Sequence, residues 1–541
     1  MIALETVAPV IEWQSLSPVL IVLGGACLGV IWEGVLPRRL RNPFQIVTLL
    51  AAIIGALTML TLNFLHASLA TDAATSVDPK VGLLAVGTLC SDGPSMAAWF
   101  ALLVFGGLAL LIFGDRQLNQ GASAFASAAA TTPGSDEEQL ADTIGREHTE
   151  VYALGLFSLA GMMVFVAAND LITMFIALEV MSLPLYLLAA IARRKRLLSQ
   201  EAALKYFLLG AFASAFFLFG AALIYGYSGS FQWAGIDSAI SGGSTSGVAV
   251  VTFGDGILIT GVALLAVGLL FKMGAVPFQS WVPDVYTGSP TPVTGWMAVG
   301  VKIAAILGMM RVFYVALGGI RWTWQPVIAV VAVLTMVVGV IMALAQTNIK
   351  RLLAYSAVSH AGFILTAVVG TQFYVGAGQL NAIGSVMFYL IGYGFATIAG
   401  FAIIMMVRRG SAEAWDLDDW AGIGVKNPVV GVLFAIVLLS FAGIPLTAGF
   451  IGKWAVFTSA WTGGYWWLAV VGIAFSLVAA YLYLKVLIKM FFAPPAEGVR
   501  VAKASPFVWI PVIISTIATL ILGLLPGPVM QWLSTLEIFI R

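Results

Sequence analysis

Long apolar runs follow one another along nearly the whole chain, separated by short polar segments. A helix that crosses a bilayer needs about 20 predominantly apolar residues. Fourteen runs meet this requirement, and they cover residues 17–36, 44–70, 95–114, 149–168, 170–192, 202–228, 256–276, 291–316, 323–346, 350–370, 380–407, 429–458, 464–491 and 506–533. The pattern predicts an all-α, polytopic integral membrane protein that lies in a lipid bilayer.

Composition narrows the possible functions. The 541 residues are 61% hydrophobic and 9% charged, whereas soluble domains carry about a quarter charged residues. The net charge of +1 gives no reason to expect nucleic acid as a partner. The two cysteines, Cys27 and Cys90, form no metal or disulfide pattern, and no Walker A or strand-linked GxGxxG sequence is present. We therefore expect no metal, NAD, flavin or ATP bound to this chain.

Basic residues in the connecting loops predict the orientation. One side carries Arg38, Arg39, Arg41, Arg116, Arg146, Arg193, Arg194, Lys195, Arg196, Lys350, Arg351, Arg408, Arg409, Lys426, Lys489, Arg500 and Lys503. The other side carries only Lys80, Arg321 and Arg541. Because cytoplasmic loops are enriched in Lys and Arg, the first side is predicted to be cytoplasmic and both termini to lie outside.

Three connections are long. Residues 71–94 and 229–255 form outer loops rich in Gly, Ser and Asp, and residues 115–148 form a cytoplasmic loop. The low-complexity stretch GASAFASAAATTPGSDEEQ predicts that the cytoplasmic loop is a flexible linker without chemistry of its own.

Two pairs of ionisable residues inside the apolar runs share one spacing. From Glu179 to His360 is 181 residues, and from Lys272 to Lys453 is also 181. This shift carries the fifth run onto the tenth and the seventh onto the twelfth, so five helices separate the copies and the second copy is inverted in the membrane. Inverted repeats with central sites are typical of transporters, although two matching spacings can also arise by coincidence.

Prolines and glycines predict helix breaks in the same two runs. The segment 256–290 ends in MGAVPFQSWVPDVYTGSP, which is rich in proline. A straight helix from Asn427 would carry Lys453 about 39 Å along its axis, beyond a bilayer core of about 30 Å. We expect unwinding around Gly443, Pro445 and Gly449. Irregular backbone is tolerated in a membrane only inside protein or beside a wet cavity.

Six ionisable residues inside the runs are the candidate site residues. They are Glu179, Lys205, Lys272, Lys302, His360 and Lys453. A charge at bilayer depth costs roughly 3 kcal/mol on insertion scales and usually marks a proton or ion pathway. A lysine withdrawn from water gives up its proton more readily, and a carboxylate nearby opposes this. The pattern indicates a protein that moves protons or ions.

Each candidate also has a structural interpretation. Glu179 either pairs with a lysine or makes a polar contact between helices. Lys272 either carries a proton or caps carbonyls freed by the break before Pro277, and both roles can hold together. Lys302 could extend to an interface, but it lies about 18 Å beyond Pro290 along the helix, which makes this difficult.

Lys205 lies near the start of its helix, so it is either an interfacial anchor or a partner of Glu179. His360 either relays a proton or makes one hydrogen bond to Ser356 or Ser359 on its own helix. Lys453 repeats the argument for Lys272.

The positions of three further residues predict structural roles. Arg311 and Lys485 lie near helix ends, which predicts interfacial anchoring. Asp284 lies in a proline-rich turn, which predicts a turn or cap.

Several separate motifs carry a family resemblance. The stretches are LEVMSLPLYLLAA, EAALKYFLLGAFASAFFLFGAALIYG, FKMGAVPFQSWVPDVYTGSPTPVTGWMAVGVKIA, NIKRLLAYSAVSHAGF and GIPLTAGFIGKW. They resemble the antiporter-like membrane subunits of complex I, the proton-pumping NADH:quinone oxidoreductase, over about residues 149–495. The fourteen runs, the length and a lysine at position 453 most resemble the N-type subunits of that group.

The resemblance implies roles for the candidates. Glu179 and Lys272 would form the uptake side of a half channel, Lys302 the connection, His360 part of the central axis and Lys453 the output side. It implies a proton-translocating subunit of the bacterial plasma membrane without a redox cofactor. NAD, FMN, iron–sulfur clusters and quinone would belong to other subunits, and the partners would include an M-type subunit and small K, J, A and H types.

The repeat and the resemblance together divide the chain into four parts. They are an N-terminal three-helix segment with its loop (1–148), a first repeat (149–322), a second, inverted repeat (323–495) and a C-terminal helix (496–541). Two alternatives remain at this point: a subunit of a multi-subunit cation/proton antiporter, and a scaffold in which the buried charges only hold helices together.

Overall fold

The computed structural model describes residues 11–73, 83–84, 87–128, 131–132, 135–144, 147–242, 255–370, 380–536 and 538–540, without the side chains of residues 66–73, 83, 138 and 142. Parts of the three long loops, together with Lys80, Arg146, Arg541 and the first ten residues, lie outside this description.

Helices make up most of the described chain, as the apolar runs predict. They are α1 (Trp13–Val35), α2 (Arg38–Ala73), α3 (Gly93–Leu111), α4 (Asp136–Thr143), α5 (Val151–Ala167), α6 (Leu171–Ala190), α7 (Arg196–Ser228), α8 (Trp233–Ile240), α9 (Gly256–Met273), α10 (Trp281–Gly288), α11 (Thr291–Trp296), α12 (Lys302–Arg311), α13 (Arg321–Leu344), α14 (Ile349–Gly370), α15 (Ala382–Met406), α16 (Ile423–Lys426), α17 (Pro428–Ala442), α18 (Ala448–Thr462), α19 (Trp466–Phe492), α20 (Pro506–Leu524) and α21 (Gly527–Ser534). Two π-helical segments, Met297–Val301 and Val312–Ala316, flank α12.

Twelve helical segments in the described residues are long and apolar enough to cross a membrane. The chain is therefore an integral membrane protein, as predicted. Helices α5 and α17 are apolar but shorter than the usual span. The count of fourteen spans stays a prediction.

Burial divides the helices into an inner and an outer group. The segment Thr291–Ala316 is wholly buried, and α14 and α15 are nearly so. Helices α1, α2, α7, α19 and α20 keep much of their apolar surface exposed, as helices that face lipid do. The inner group carries Lys302 and His360, so these residues lie at the centre of the protein.

Both predicted helix breaks are confirmed. Helix α9 ends before Gly274 and the chain resumes as α10, while α17 ends before Gly443 and resumes as α18. The two glycines have φ values of +77° and +79°, a conformation that side chains with a Cβ rarely adopt. Gly449, expected within the second break, already lies in α18.

The two lysines lie on opposite sides of their breaks. Lys272 is two residues before Gly274, whereas Lys453 is ten residues after Gly443. The residue ten positions after Gly274 is Asp284. Counted from the break glycines, the two lysines therefore do not correspond, although they share the spacing of 181. The superposition of the two repeats by a half turn stays a prediction.

The described part of the loop 115–148 is packed, so the prediction of a flexible linker is wrong there. Asp115 accepts hydrogen bonds from the main-chain N–H and the hydroxyl of Ser505, at 3.0 and 2.5 Å. Phe125 is fully buried and pairs with Ala192 in a β-bridge. Small residues that looked like linker composition allow this close approach of two backbones.

Short strands complete the fold. The hairpin β1 (Leu83–Leu84) and β2 (Leu89–Cys90) precedes α3. On the predicted cytoplasmic side an antiparallel sheet has the order β4–β3–β5, formed by Ala412–Glu413, Val407–Arg409 and Val499–Val501. This sheet ties the end of α15 to the segment before α20.

The position of Arg311 near a helix end predicted an interfacial anchor, and this prediction is wrong. It is fully buried, and Nη2 donates to the carboxylate of Asp92 at 2.6 Å and to Ser95 Oγ at 2.7 Å. Its Nε donates to the carbonyl of Val166 at 2.9 Å. Asp92 also accepts from the N–H of Ser95, which caps α3. One buried ion pair thus joins α12, α5 and the start of α3.

We expect Arg311→Leu to destabilise the protein strongly, by about 3–5 kcal/mol, because it leaves the Asp92 carboxylate buried without its partner. Lys485→Leu, at an exposed position on α19, is the matched control and should change little. The measurement is thermal unfolding of the purified assembly. Adding Asp92→Leu to Arg311→Leu should recover part of the loss, and equal instability in the single and double variants would contradict this account.

Candidate functional site

Lys272 is held at the end of α9 by hydroxyl groups of α6. Its ammonium donates to Ser182 Oγ at 2.6 Å and lies 3.4 Å from the hydroxyl of Tyr186. The side chain is buried, and the rings of Tyr186 and Tyr206 lie within 6 Å of the ammonium, at 5.5 and 5.7 Å. The partners are neutral groups that can both donate and accept hydrogen bonds.

Glu179 does not form the direct ion pair expected of it. Its Oε1 is buried and makes no hydrogen bond within the described residues, and no ion pair of Glu179 is found there. The carboxylate lies within electrostatic range of Lys272. Glu179, Ser182 and Tyr186 are spaced three and four residues apart on α6, so they share one face of that helix. The spacing could have identified both hydroxyl groups.

Lys272 does not cap the carbonyls freed by its break. The indole of Trp281 on α10 takes that role, since its Nε1 donates to the carbonyl of Phe271 at 2.9 Å. The side chain of Thr335 accepts from the N–H of Val276 within the break, at 3.0 Å. The first break is therefore closed by neighbouring side chains, and the ammonium of Lys272 is left to the hydroxyl groups.

Lys302 lies directly after the first π-helical segment. Its ammonium donates to the carbonyl of Ala357 on α14 at 2.5 Å and lies 5.6 Å from the ring of Tyr393. Only 4% of the residue is exposed, so the interpretation that it extends to an interface is wrong. A π-helical turn inside an α-helix is often found at functional sites.

His360 is bound by two tyrosines of other helices rather than by the serines of its own. Its Nδ1 lies 2.6 Å from the hydroxyl of Tyr389 on α15, and its Nε2 lies 3.3 Å from that of Tyr483 on α19. The Tyr483 hydroxyl lies 2.5 Å from Ser356 Oγ. Ser359 bonds the carbonyl of Ser356 instead. Both ring nitrogens of the histidine are therefore in contact with groups that can pass a proton on.

Lys453 caps main-chain carbonyls at its break, which is the structural role predicted as an alternative for Lys272. Its ammonium donates to the carbonyls of Phe441 and Ala442, at 3.0 and 2.9 Å, and to Ser476 Oγ at 2.8 Å. The two carbonyls end helix α17 at the break. Lys453 thus satisfies acceptors that the helix no longer serves.

Close contact between the two halves of this broken helix depends on Gly449. A Cβ at that position would lie 1.7 Å from the carbonyl oxygen of Ser440. Its N–H donates to Ser440 Oγ at 3.2 Å. Only glycine lets α18 begin against the end of α17, and this places Lys453 beside the freed carbonyls.

Lys205 differs from the other candidates. Its side chain is 44% exposed and forms ion pairs with Glu201 at 2.7 Å and Asp284 at 2.9 Å. Asp284 also pairs with Arg351 at 3.0 Å. Lys205 is therefore not a partner of Glu179, and Asp284 is more than a turn residue. The local sequence around Lys205 does not reveal its partner Asp284 on α10, and that around Asp284 does not reveal its partner Arg351 on α14.

The remaining five candidates form what we call the buried row: Lys272, Lys302, His360 and Lys453, which are buried, and Glu179, which is half-buried. The ring of Tyr393 links Lys302 to His360, whose ring centroid lies 5.0 Å away. The ring of Phe441 lies 5.5 Å from His360 and its carbonyl binds Lys453. Helix α9 packs against α12 between Lys272 and Lys302. Continuity over that last interval stays a prediction.

A metal site is not suggested by the described residues, because they contain no group of three or more His, Cys, Asp or Glu side chains placed to hold an ion.

Comparison with known proteins agrees with this architecture. Residues 168–479 match the family described as NADH:quinone oxidoreductase/Mrp antiporter, TM. The NADH-quinone oxidoreductase subunit N of Cutibacterium acnes is 48% identical over 545 residues, which cover 99% of this chain and 97% of that protein.

Solved structures show the same fold. A chain of respiratory complex I from Thermus thermophilus with bound aureothin is 30% identical, with a TM-score of 0.72, and the match covers 96% of this chain and 99% of that one. A chain of the Mrp complex from Dietzia sp. has a TM-score of 0.74 at 22% identity and covers 97% of each chain. At that identity the second likeness concerns the fold alone.

The two lysines at the breaks should differ in their contribution to stability. We expect Lys453→Met to lower the unfolding free energy by about 1–3 kcal/mol more than Lys272→Met, because it leaves two main-chain carbonyls without a donor. Lys272→Met removes a partner only from hydroxyl groups. Thermal unfolding of both purified variants would test this, and equal losses would show that the carbonyl contacts of Lys453 contribute little.

Proposed function

Because the chain belongs to the NADH:quinone oxidoreductase/Mrp antiporter membrane family, we propose that its buried row conducts protons across the membrane. The chain is a proton-translocating membrane subunit of NADH-quinone oxidoreductase, of the N type. The likeness to an Mrp antiporter subunit rests on 22% identity and does not support the antiporter alternative.

The observation that carries the proposal is how the buried cations are compensated. Arg311, which cannot release a proton, is paired with Asp92. Lys272, Lys302 and Lys453 are equally buried, yet none of them forms an ion pair within the described residues. Their partners are hydroxyls and carbonyls. A buried ammonium that forms no ion pair carries a large desolvation penalty, and the loss of its proton removes this penalty.

The polar contacts suggest how a proton could pass along the row. On α6, Ser182 and Tyr186 bind Lys272, and both hydroxyls can accept one proton while giving up another. The charge of Glu179, one turn before Ser182 on α6, would favour the protonated form of Lys272. Moving or neutralising that charge would therefore release the proton. We propose that this pair loads the row.

The centre of the row offers a second relay. His360 contacts Tyr389 and Tyr483 through its two nitrogens, so a proton taken up at one nitrogen can leave from the other. Lys302 would deliver protons to this centre, and Lys453 would receive them at the second break. Ala442, Lys453 and Ser476 border an open cavity, which we propose as the output side.

Lys205 belongs to the opposite end of this scheme. Its ion pairs with Glu201 and Asp284 leave it half exposed near the predicted cytoplasmic side. We propose that this cluster collects protons ahead of Glu179.

The assembly around the chain follows from its family. We propose that the chain supplies no redox group of its own and that NAD, FMN, iron–sulfur clusters and quinone belong to other subunits. Its neighbours would be an M-type subunit and the small K, J, A and H types. Both termini would face outside the bacterial plasma membrane. The test is to purify the native assembly that contains this chain. NADH oxidation together with flavin and iron–sulfur absorbance in that preparation would support this arrangement.

Lys272→Ala should reduce proton pumping to a small fraction while the complex still assembles, because the variant removes a proton carrier and not an ion pair. Lys272→Arg should restore little, since arginine keeps its proton. Pumping would be measured by acidification of inverted membrane vesicles during NADH oxidation. Lys485→Ala, on the exposed face of α19, is the control. Wild-type pumping in Lys272→Ala would refute the carrier role.

Glu179→Gln should impair pumping without lowering thermal stability, because Oε1 makes no hydrogen bond that the change could break. Glu179→Asp should keep part of the activity if the charge is what matters. Pumping and thermal unfolding are measured on the same preparations. A scaffold role predicts the reverse result, with lost stability and intact pumping per assembled complex.

A further inference from the structure

A cleft on the predicted cytoplasmic side is lined by five basic residues that the buried row does not use. We call it the basic cleft. Its charged and polar lining includes Arg193, Arg194, Lys195, Ser289, Lys350, Arg408, Glu413 and Trp415. Five of these residues are cations and one is an anion, so the cleft carries an excess of positive charge.

Two of the cations form the buried wall of the cleft. Lys350 is fully buried, and its ammonium donates to the carbonyl of Ser289 at 2.9 Å. Arg408 is 3% exposed, and its Nε donates to the carbonyl of Met405 at 2.9 Å. Nη1 of Arg408 donates to Asn119 Oδ1 at 3.2 Å. Main-chain and amide oxygens thus orient both cations but neutralise neither.

The one carboxylate does not fill the cleft. Glu413 accepts from the hydroxyl of Thr291 at 2.6 Å and from the indole of Trp415 at 3.0 Å. Burial opposes its ionisation, but the charges of Lys350 and Arg408 hold the pKa of Glu413 below its usual value. One negative charge is therefore fixed at the wall. The hydroxyl of Ser289 is buried in the same cleft without a hydrogen-bond partner among the described residues.

The rim of the cleft is held in an unfavourable backbone conformation. Lys195 has φ of +55°, a left-handed conformation that residues with a Cβ rarely adopt. Its ammonium lies 3.3 Å from the ring centroid of Trp415, which fixes the lysine over the opening. Arg194, the next rim cation, donates to Ser411 Oγ at 3.0 Å.

The surface next to the rim faces lipid. Leu197 and Leu198 follow the basic residues at once and are exposed, and the exposed apolar face of α7 continues through Leu204 and Leu208. A molecule with an anionic head in the cleft could lay apolar chains along this face. Basic pockets beside membrane helices on the cytoplasmic side are suited to phospholipid head groups.

We propose that the basic cleft binds the phosphate of an anionic phospholipid head group, with the acyl chains against α7. Lys350, Arg408 and the Ser289 hydroxyl would contact the phosphate, and Arg194 and Lys195 would close over it. The same phosphate chemistry could come from free phosphate in the cytoplasm. The apolar face of α7 beside the rim favours the lipid.

The test uses the whole purified complex in phosphatidylcholine vesicles that contain a small fraction of photoactivatable phosphatidylglycerol. Crosslinked peptides of this chain are mapped by mass spectrometry. We expect labelling around residues 191–198 and 408–415. The double variant Arg194→Gln/Lys195→Gln should reduce it about tenfold or more, because each cation near the surface contributes to binding an anionic lipid.

The control is Arg409→Gln. Arg409 lies next to Arg408 on β3, but its exposed side chain pairs with Asp419 and does not line the cleft. This variant should be labelled like the wild type. Assembly and NADH oxidation, measured on each preparation, would exclude misfolding as the cause of lost labelling, and Lys350→Gln gives a second variant inside the cleft.

Three results would overturn the proposal. The first is equal labelling of the double variant and the wild type. The second is equal labelling by a photoactivatable phosphatidylcholine, which would mean that the head-group charge is not recognised. The third is loss of phosphatidylglycerol labelling when inorganic phosphate is added at the same ionic strength as a chloride control, which would assign the cleft to a soluble anion.

Discussion

A charge inside a bilayer must be compensated by the protein, since lipid tails provide neither a counter-charge nor a hydrogen-bond partner. This protein compensates its buried cations in two different ways. Arg311 is neutralised by Asp92 and ties three helices together. The buried lysines of the row are bound instead by hydroxyls and by main-chain carbonyls. The first solution gives a permanent charge and rigidity. The second leaves the charge able to disappear, because no carboxylate loses an ion-pair partner when a proton departs.

At Lys453 the second solution depends on irregular backbone. A regular helix uses its carbonyls internally, so the carbonyls left without a helical donor are those at a helix end. Gly443 ends α17 in a left-handed turn, Gly449 lets α18 approach it, and Lys453 then reaches the free carbonyls. Near Lys302 a π-helical turn precedes the lysine. These irregular segments are sheltered inside the protein, where a membrane can tolerate them.

Features encoded locally could be predicted from the sequence. Apolar runs gave the helices, and glycine and proline marked both breaks. The buried positions of Lys272, Lys302, His360 and Lys453 followed from their surroundings in the same runs. These features need only a window of about twenty residues, which is the length that a bilayer imposes.

Partners brought together by tertiary packing could not be predicted. Arg311 meets Asp92 across 219 positions of sequence, and its place near a helix end suggested an anchor. His360 is bound from α15 and α19, although serines stood closer in sequence. The loop after α3 looked like a linker because of its low-complexity composition of small residues. In each case the deciding contact is a hydrogen bond or ion pair between distant segments.

The shared spacing of 181 residues shows how a sequence pattern can be informative and still misjudge equivalence. It located two lysines at two breaks, but the lysines lie on opposite sides of those breaks. Lys272 is bound by hydroxyls, which can accept from an ammonium and donate to a neutral amine. Two of the three partners of Lys453 are carbonyls, which can only accept. A change of protonation therefore meets different surroundings at the two ends of the row. The proposed proton path therefore has chemically different surroundings at its two lysines, which two equivalent lysines would not provide.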